Sequence, residues 1–428
     1  MWKILVTVII FWPARLWAQT KEPQGVSRKP VQFSMREGPS VQIGKFVHME
    51  LEAKFQGDFR NFSPALPGVK MDELSRARLG LKGRVFDHFD YEVEREFRGT
   101  FGSDYPLFPW TDVYIRTRGY GPVDIKGGQF KLPFGMEQNT SAAQLDFVYR
   151  TRASDFLTPG RDKGVLMTGR LLDKWRVNYG AGVFKNDGQN AHEREAAVKS
   201  GGRTFAAHMK AEPFRKARSP LRRLQFGVAV TASNVPENQT PNGNSIRAET
   251  VAGEAFAHRM YVHGRRLRFG TETSWTRGSF AIKSEFIHVS EERKNAGIEM
   301  QDLPALISQG WYLSSTWVIT GEKKTEEVRP KKDFLTGGGF GAIEIAGRYE
   351  ALWFGSALNS GVPSRSPRAP NVLANGDRVV TAGVNWYLNR FSKIQINGIR
   401  EILTDPRSAP IPGQNRYWTN VVRLQFQM

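Results

Sequence analysis

The sequence has no cysteine, fewer acidic than basic residues, and no long hydrophobic run. Each absence removes a class of protein. Without cysteine there is no disulfide framework, although the chain reads as exported, so another device has to close the fold. A β-barrel supplies one, because it leaves no edge strand. Past the first residues no stretch approaches the roughly 20 apolar residues of a membrane-spanning helix. Helical spans are therefore excluded, and the negative overall hydropathy agrees. Catalytic signatures are missing as well. His48, His88, His192, His208, His258, His263 and His288 show no metal-ligand spacing, and there is neither a GxSxG elbow nor a P-loop. Asn186, Asp187, Gly188 and Asn190 lack the terminal glutamate of a calcium loop. The chain reads as a non-enzyme without cofactor or metal. A membrane-embedded hydrolase would need a serine and a histidine in contact at the lipid boundary.

What is present points to an exported all-β protein. Lys3, the apolar run from Ile4 to Trp12 and the site Leu16-Trp17-Ala18 read as a signal peptide over 1–18. Residues 19–40 hold three prolines and little periodicity, which reads as a flexible periplasmic tail. From 41 to 428 apolar and polar residues alternate, first in Val41–Leu51, then with Leu79, Leu81 and Val85 on one face. The same period recurs at Trp175–Val183, Leu224–Val230, Trp311–Ile319 and Trp418–Phe426. Alternation over about ten residues suits a tilted strand that crosses a membrane. About sixteen such strands fit the chain. Long connections at 56–72, 99–111, 132–163, 187–203, 234–265, 291–308, 352–377 and 404–416 alternate with short ones such as Asp87-His88 and Asp173-Lys174. This is the pattern of a transmembrane antiparallel β-barrel with short periplasmic turns and long external loops, both termini lying at the short-turn end. Two turns, 213–222 and 322–337, are longer than that pattern asks. A soluble β-sandwich or propeller would not produce this asymmetry, nor place Trp110, Trp175, Trp275, Trp311, Trp353, Trp386 and Trp418 near strand ends.

The charge then acquires a meaning. Lysine and arginine number 61 against 42 aspartates and glutamates, a formal charge of +19. An outer-membrane chain does not meet nucleic acid, so the excess suggests a lumen that attracts small anions. Arg76, Arg78, Lys82 and Arg84 lie opposite the apolar face of Leu79, Leu81 and Val85, and cations facing lipid are costly, so they are expected in the lumen. Arg116 and Arg118 follow on the next basic strand, then Lys126 and, past an expected Gly127-Gly128 bulge, Lys131. Glu92, Glu94 and Glu96 share one face nearby, so part of this charge is expected to pair internally, as in a weakly selective or structural barrel. The connection 132–163 carries Arg150, Arg152, Arg161 and Lys163. A loop of that length has a function. Spacing alone leaves two readings open: it folds inward and narrows a pore, or it meets lipopolysaccharide phosphates at the surface.

Four segments resemble the phosphate-selective porin O and P family. Gly127-Gly128-Gln129-Phe130-Lys131-Leu132-Pro133-Phe134-Gly135-Met136-Glu137 is similar to that family's Gly-x-Phe-Lys-x-Pro-Phe-Gly-Leu-Glu pattern. Gly310–Glu322 is similar to its strand ending in Leu-Thr-Gly-Glu, Gly341–Tyr349 to its Gly-Ala-Trp-Glu-x-x-x-Arg-Tyr strand, and Gly383–Asn389 to its Gly-x-Asn-Trp-Tyr-x-Asn turn. The resemblance implies a homotrimer of sixteen-stranded barrels in the bacterial outer membrane. It also implies an inward-folded third loop and an arginine- and lysine-lined path for phosphate or polyphosphate. The chain departs from the pattern at its end, Gln425-Phe426-Gln427-Met428, where such barrels carry a terminal aromatic residue.

Overall fold

A computed structural model describes residues 31–35, 38–66, 68–98, 109–118, 123–172, 175–188, 202–237, 245–246, 248–257, 260–334, 337–356, 372 and 374–428. The signal-peptide reading over 1–18 lies outside the described residues. Sixteen strands close into one antiparallel barrel. In chain order they are β1 Val47–Ser63, β2 Asp72–Val85, β3 Phe89–Glu96, β4 Trp110–Thr117, β5 Val123–Lys131 and β6 Arg161–Leu172. They continue as β7 Val177–Phe184, β8 Thr204–Ala211, β9 Gln225–Val235, β10 Gly264–Arg277 and β11 Phe280–Arg293. The last are β12 Leu303–Val318, β13 Ala342–Ser356, β14 Asn375–Tyr387, β15 Ser392–Leu403 and β16 Arg416–Gln427. Each pairs with the next, and β16 closes on β1 with Phe426 opposite Phe55. Closure satisfies every ladder within the sheet, which is what a bilayer without water requires.

The lipid-facing side follows the alternation. Leu79, Leu81, Ile115, Ile125, Val165, Val230, Leu313, Val380, Ile396 and Leu424 are exposed outward. Trp175, Trp317, Trp110, Trp353 and Trp418 mark the two ends. The run Val41–Leu51 is not one strand. Gly44, at φ 52, turns the chain, so Ser40–Ile43 pairs back on Val47–Glu50 and Val31–Ser34 pairs with Ser40–Ile43. This ribbon sits beside β1 just past the C-terminus, where Met428 and Ala53 exchange backbone hydrogen bonds of 3.1 and 3.0 Å. The expected bulge at Gly127-Gly128 is also absent, because β5 keeps unbroken register with β6. Gly128 is needed instead for its φ of 134 and because a Cβ there would lie 2.3 Å from the Val113 carbonyl oxygen.

Candidate functional site

The segment between β5 and β6 turns into the lumen immediately after Lys131. Leu132 and Phe134 are buried at once, and Phe134, Ala153 and Leu157 join one cluster with Ile287, Leu352 and Tyr417 of the wall. Polar wall residues then hold the loop's backbone along one side of the barrel. Glu285 of β11 accepts from the N–H groups of Met136 (2.5 Å) and Glu137 (2.9 Å). Glu350 of β13 accepts from the N–H of Arg152 at 2.5 Å, and Arg348 donates to the Tyr149 carbonyl at 3.0 Å. Asn385, Asn397, Arg423 and Gln425 of β14–β16 bond the backbone at Asp146, Val148 and Ala143. Buried polar groups on the wall and the loop thus satisfy each other.

Charge completes the anchorage. Asp146 meets Lys283 of β11 at 2.7 Å and Lys324 at 2.6 Å, and Lys324 also pairs with Glu344 of β13. Burial raises the Asp146 carboxyl, but Lys324 and Lys283 outweigh it and hold the group below the ordinary carboxylate range. Lys324 belongs to the long turn between β12 and β13, so that turn is long because it reaches into the barrel. A second connection, between β9 and β10, also fills the same side. Ile246, Ala248 and Phe256 are buried against the first loop, Val251 donates to Glu401 at 2.9 Å, and the Glu249 carbonyl accepts from Arg152 at 3.3 Å.

The loops lean on β9–β16, so open space remains along β1–β6. A cavity of about 480 Å³ lies there, lined by Lys54, Arg76, Arg78, Glu92, Glu94, Asp112, Lys126, Lys131, Arg150 and Arg161 among others. It meets a second cavity of about 840 Å³ at Lys126 and Lys131. The second one extends past His208, Lys210, Glu272, Lys283 and Lys324 toward the periplasmic turns.

The residues singled out in the sequence divide into three groups. Arg78, Lys82, Arg84, Arg116, Arg118 and Arg161 lie on inward positions and are paired. Arg78 meets Glu96 at 2.9 Å and Glu94 at 3.1 Å, and Lys82 meets Glu52 at 2.7 Å. Arg84, Arg116 and Arg118 surround Asp90, at 3.2, 2.5 and 3.9 Å, while Arg161 meets Asp112 at 2.5 Å. Arg76, Lys126, Lys131 and Arg150 line the 480 Å³ cavity without a carboxylate in ion-pair range among the described residues. Arg76 donates to Gln56 at 2.8 Å. Lys126 lies 3.4 Å from the Tyr114 ring centroid, a cation–π contact. Lys131 and Arg150 both donate to the Thr140 carbonyl, at 3.0 and 2.9 Å. Arg152 stands apart. It is 5% exposed, wedged between the first loop, Glu249 and Glu350, and does not reach the cavity.

The sequence reading missed Lys54, which bridges Glu94 (2.6 Å) and Glu52 (3.3 Å) across strands. Its signal was the alternation Glu50, Glu52, Lys54, Gln56, which runs on past Leu51.

The model of the phosphate-selective porin O and P family matches residues 49–428. The chain belongs to that family. As a member of the porin O and P family, it is an outer-membrane β-barrel porin, a channel rather than an enzyme. Porin O of Pseudomonas aeruginosa is 23% identical over 355 residues, covering 74% of each chain. Solved porins share the fold. The anion-selective porin from Comamonas acidovorans superposes with a TM-score of 0.53 at 10% identity, over 89% of this chain and 99% of its own. OmpT of Vibrio cholerae gives 0.55 at 8% identity, over 90% and 99%. OmpF of Salmonella typhi gives 0.55 at 12%, over 90% and 98%.

Proposed function

We propose that the barrel is a passive anion-selective channel for small inorganic anions of the phosphate class, working as a homotrimer. The observation that carries the reading is the passage between the inward loop and β1–β6, where Arg76, Lys126, Lys131 and Arg150 have no carboxylate in ion-pair range among the described residues. Cations without such a partner at a narrow point raise local anion concentration, and forked arginine donors match phosphate oxygens. The loop acts as the constriction, and Lys131, where the two cavities meet, marks the transfer point between them. Anions are drawn down from the extracellular side, exchange among these groups and leave toward Lys210 and Lys283. The family is named for phosphate selectivity, and one structural neighbour is described as an anion-selective porin. OmpT of Vibrio cholerae, which shares the fold, is described in a trimer form.

The pairing of Arg78, Lys82, Arg84, Arg116 and Arg161 favours a second reading, a weakly selective barrel whose lumenal charges cancel. Single-channel current across a potassium chloride gradient separates the two. A reversal potential on the anion side, with chloride current blocked by added phosphate, supports the first. A potential near zero without block supports the second.

A further inference from the structure

The outer wall of an outer-membrane barrel faces lipid, so an arginine there without a carboxylate partner requires an explanation. On β14, β15 and β16 three arginines point outward, because their neighbours Val379, Ile399, Glu401, Tyr417 and Thr419 are buried on the lumenal face. Register brings them together. Arg378 and Arg416 both lie opposite Ile402, and Arg400 lies opposite Val380 on one side and Trp418 on the other. Arg378, Arg400 and Arg416 thus surround Ile402 on adjacent strands. No carboxylate lies in ion-pair range of any of them among the described residues. The Arg400 guanidinium stacks 5.4 Å from the Trp418 ring centroid, and its Nε has no hydrogen-bond partner.

Their height decides the ligand. Trp418 and Phe426 share the outward row of β16, about 20 Å apart along the membrane normal for strands rising about 3.3 Å per residue at about 40° tilt. Between these aromatics the three strands expose Val380, Val384, Ile396, Val422 and Leu424, with one polar side chain, Asn420, next to Trp418 in the outward row of β16. That is an apolar band, and the arginines sit at or just beyond its extracellular edge, the level of outer-leaflet headgroups. Three like charges held together at that boundary need a multivalent anion to offset their repulsion and desolvation.

We propose that Arg378, Arg400 and Arg416 form a binding site for the phosphorylated headgroup of an outer-leaflet glycolipid, the lipid A class. Arginine forks take its phosphate oxygens, while Trp418, Ile402 and the apolar rows below receive the acyl chains. The site is separate from the lumen, on the other face of the sheet. It also differs from the surface role considered for the 132–163 loop, since Arg150 and Arg152 are turned inward by that loop.

The test uses purified full-length protein in detergent micelles and fluorescent bis-phosphorylated lipid A. R378Q/R400Q/R416Q should bind it on the order of a hundredfold more weakly than wild type, at about a fivefold loss per cation near an anionic surface. R378K/R400K/R416K should retain most of the affinity. Dephosphorylated lipid A should bind wild type as weakly as the glutamine variant binds lipid A, and millimolar inorganic phosphate should not compete. Heat-modifiable gel mobility confirms that each variant is folded, and chloride conductance should stay at the wild-type value. Equal lipid A affinity in wild type and the glutamine variant overturns the proposal. So does efficient competition by inorganic phosphate, which would make this a free-anion site. Loss of the native oligomer with unchanged lipid binding would assign the surface to a second copy of the chain and overturn it equally.

Discussion

Asp146, on a loop that begins at the extracellular end of β5, meets Lys324, on a turn from the periplasmic end, at 2.6 Å inside the barrel. The contact ties together two connections that enter the barrel from opposite ends. It also sets which side of the lumen stays open, because the loop is drawn toward Lys283 and Glu344 and away from β2–β5.

Replacing Asp146 with Asn should release the loop. Removing one partner from a buried ionic cluster costs about 3–5 kcal/mol, here against local loop order, because the barrel ladders are untouched. Single-channel conductance should rise and become noisier, while heat-modifiable mobility stays normal. A variant with wild-type conductance and noise would show that the backbone bonds to Glu285, Glu350 and Asn397 hold the loop by themselves.

The same carboxylate sets a pH window. Its folded pKa lies below its unfolded one, about 3.9. The stabilisation is therefore complete above the unfolded value and is lost as pH falls through the folded value. Loop noise should be flat from neutrality down to about pH 4 and grow only below it. An increase between pH 6 and 5 would place the sensitive group elsewhere.

Selectivity should follow pairing rather than the number of cations. Arg76, Lys126, Lys131 and Arg150 changed together to Gln should move the reversal potential toward zero and weaken phosphate block. The shift should be larger at 0.1 M than at 1 M salt, where the screening length falls from about 10 to about 3 Å. Arg84 and Arg116 changed together to Gln leave Asp90 with less compensation, so they should shift selectivity much less per charge removed. Equal shifts from both sets would mean that the total lumenal charge governs transport.

Asp187 is buried between Arg266 and Arg268, which both meet it, and Arg266 also meets Glu291. Asp187→Asn leaves Arg266 with Glu291 and takes from Arg268 the carboxylate it meets. The unfolding temperature of the purified barrel should drop, for a cost of about 3–5 kcal/mol. An unchanged transition would show that Glu291 alone suffices.

The chain ends without a terminal aromatic residue, yet Phe426 faces outward at the periplasmic rim, with its ring centroid 6.4 Å from that of Phe391. Phe426→Ala should reduce the fraction of protein recovered as folded barrel in outer membranes, while Met428→Phe should leave it unchanged or raise it. Normal recovery of Phe426→Ala would remove that residue from assembly.

Much of this molecule can be read residue by residue. Alternation in Arg76–Val85 separates a lipid face from a lumenal one, because strand side chains repeat every two residues and lipid tolerates only one kind. The spacing of long and short connections yields the strand count and direction for the same local reason. Lys131 was expected inward for the wrong cause, a bulge at Gly127-Gly128. It reaches the lumen because the chain itself turns inward at Leu132, a step driven by burial of Phe134 against distant strands. Arg152, on the same loop as Arg150, ends behind the loop rather than on the passage.

The sequence by itself therefore determined the barrel and the inward direction of its basic rows, with the export signal as an expectation. All of these rest on local periodicity and on the two solvents that the wall separates. Only the tertiary structure decided which cations are cancelled and where the opening lies. Asp58 and Arg423 are 365 residues apart and meet at 2.6 Å because the ring closes, and Lys54 of β1 finds Glu94 of β3 across the intervening β2. Pairing, and hence the charge left for a passing anion, depends on neighbours that only a closed sheet and its inserted loops bring together.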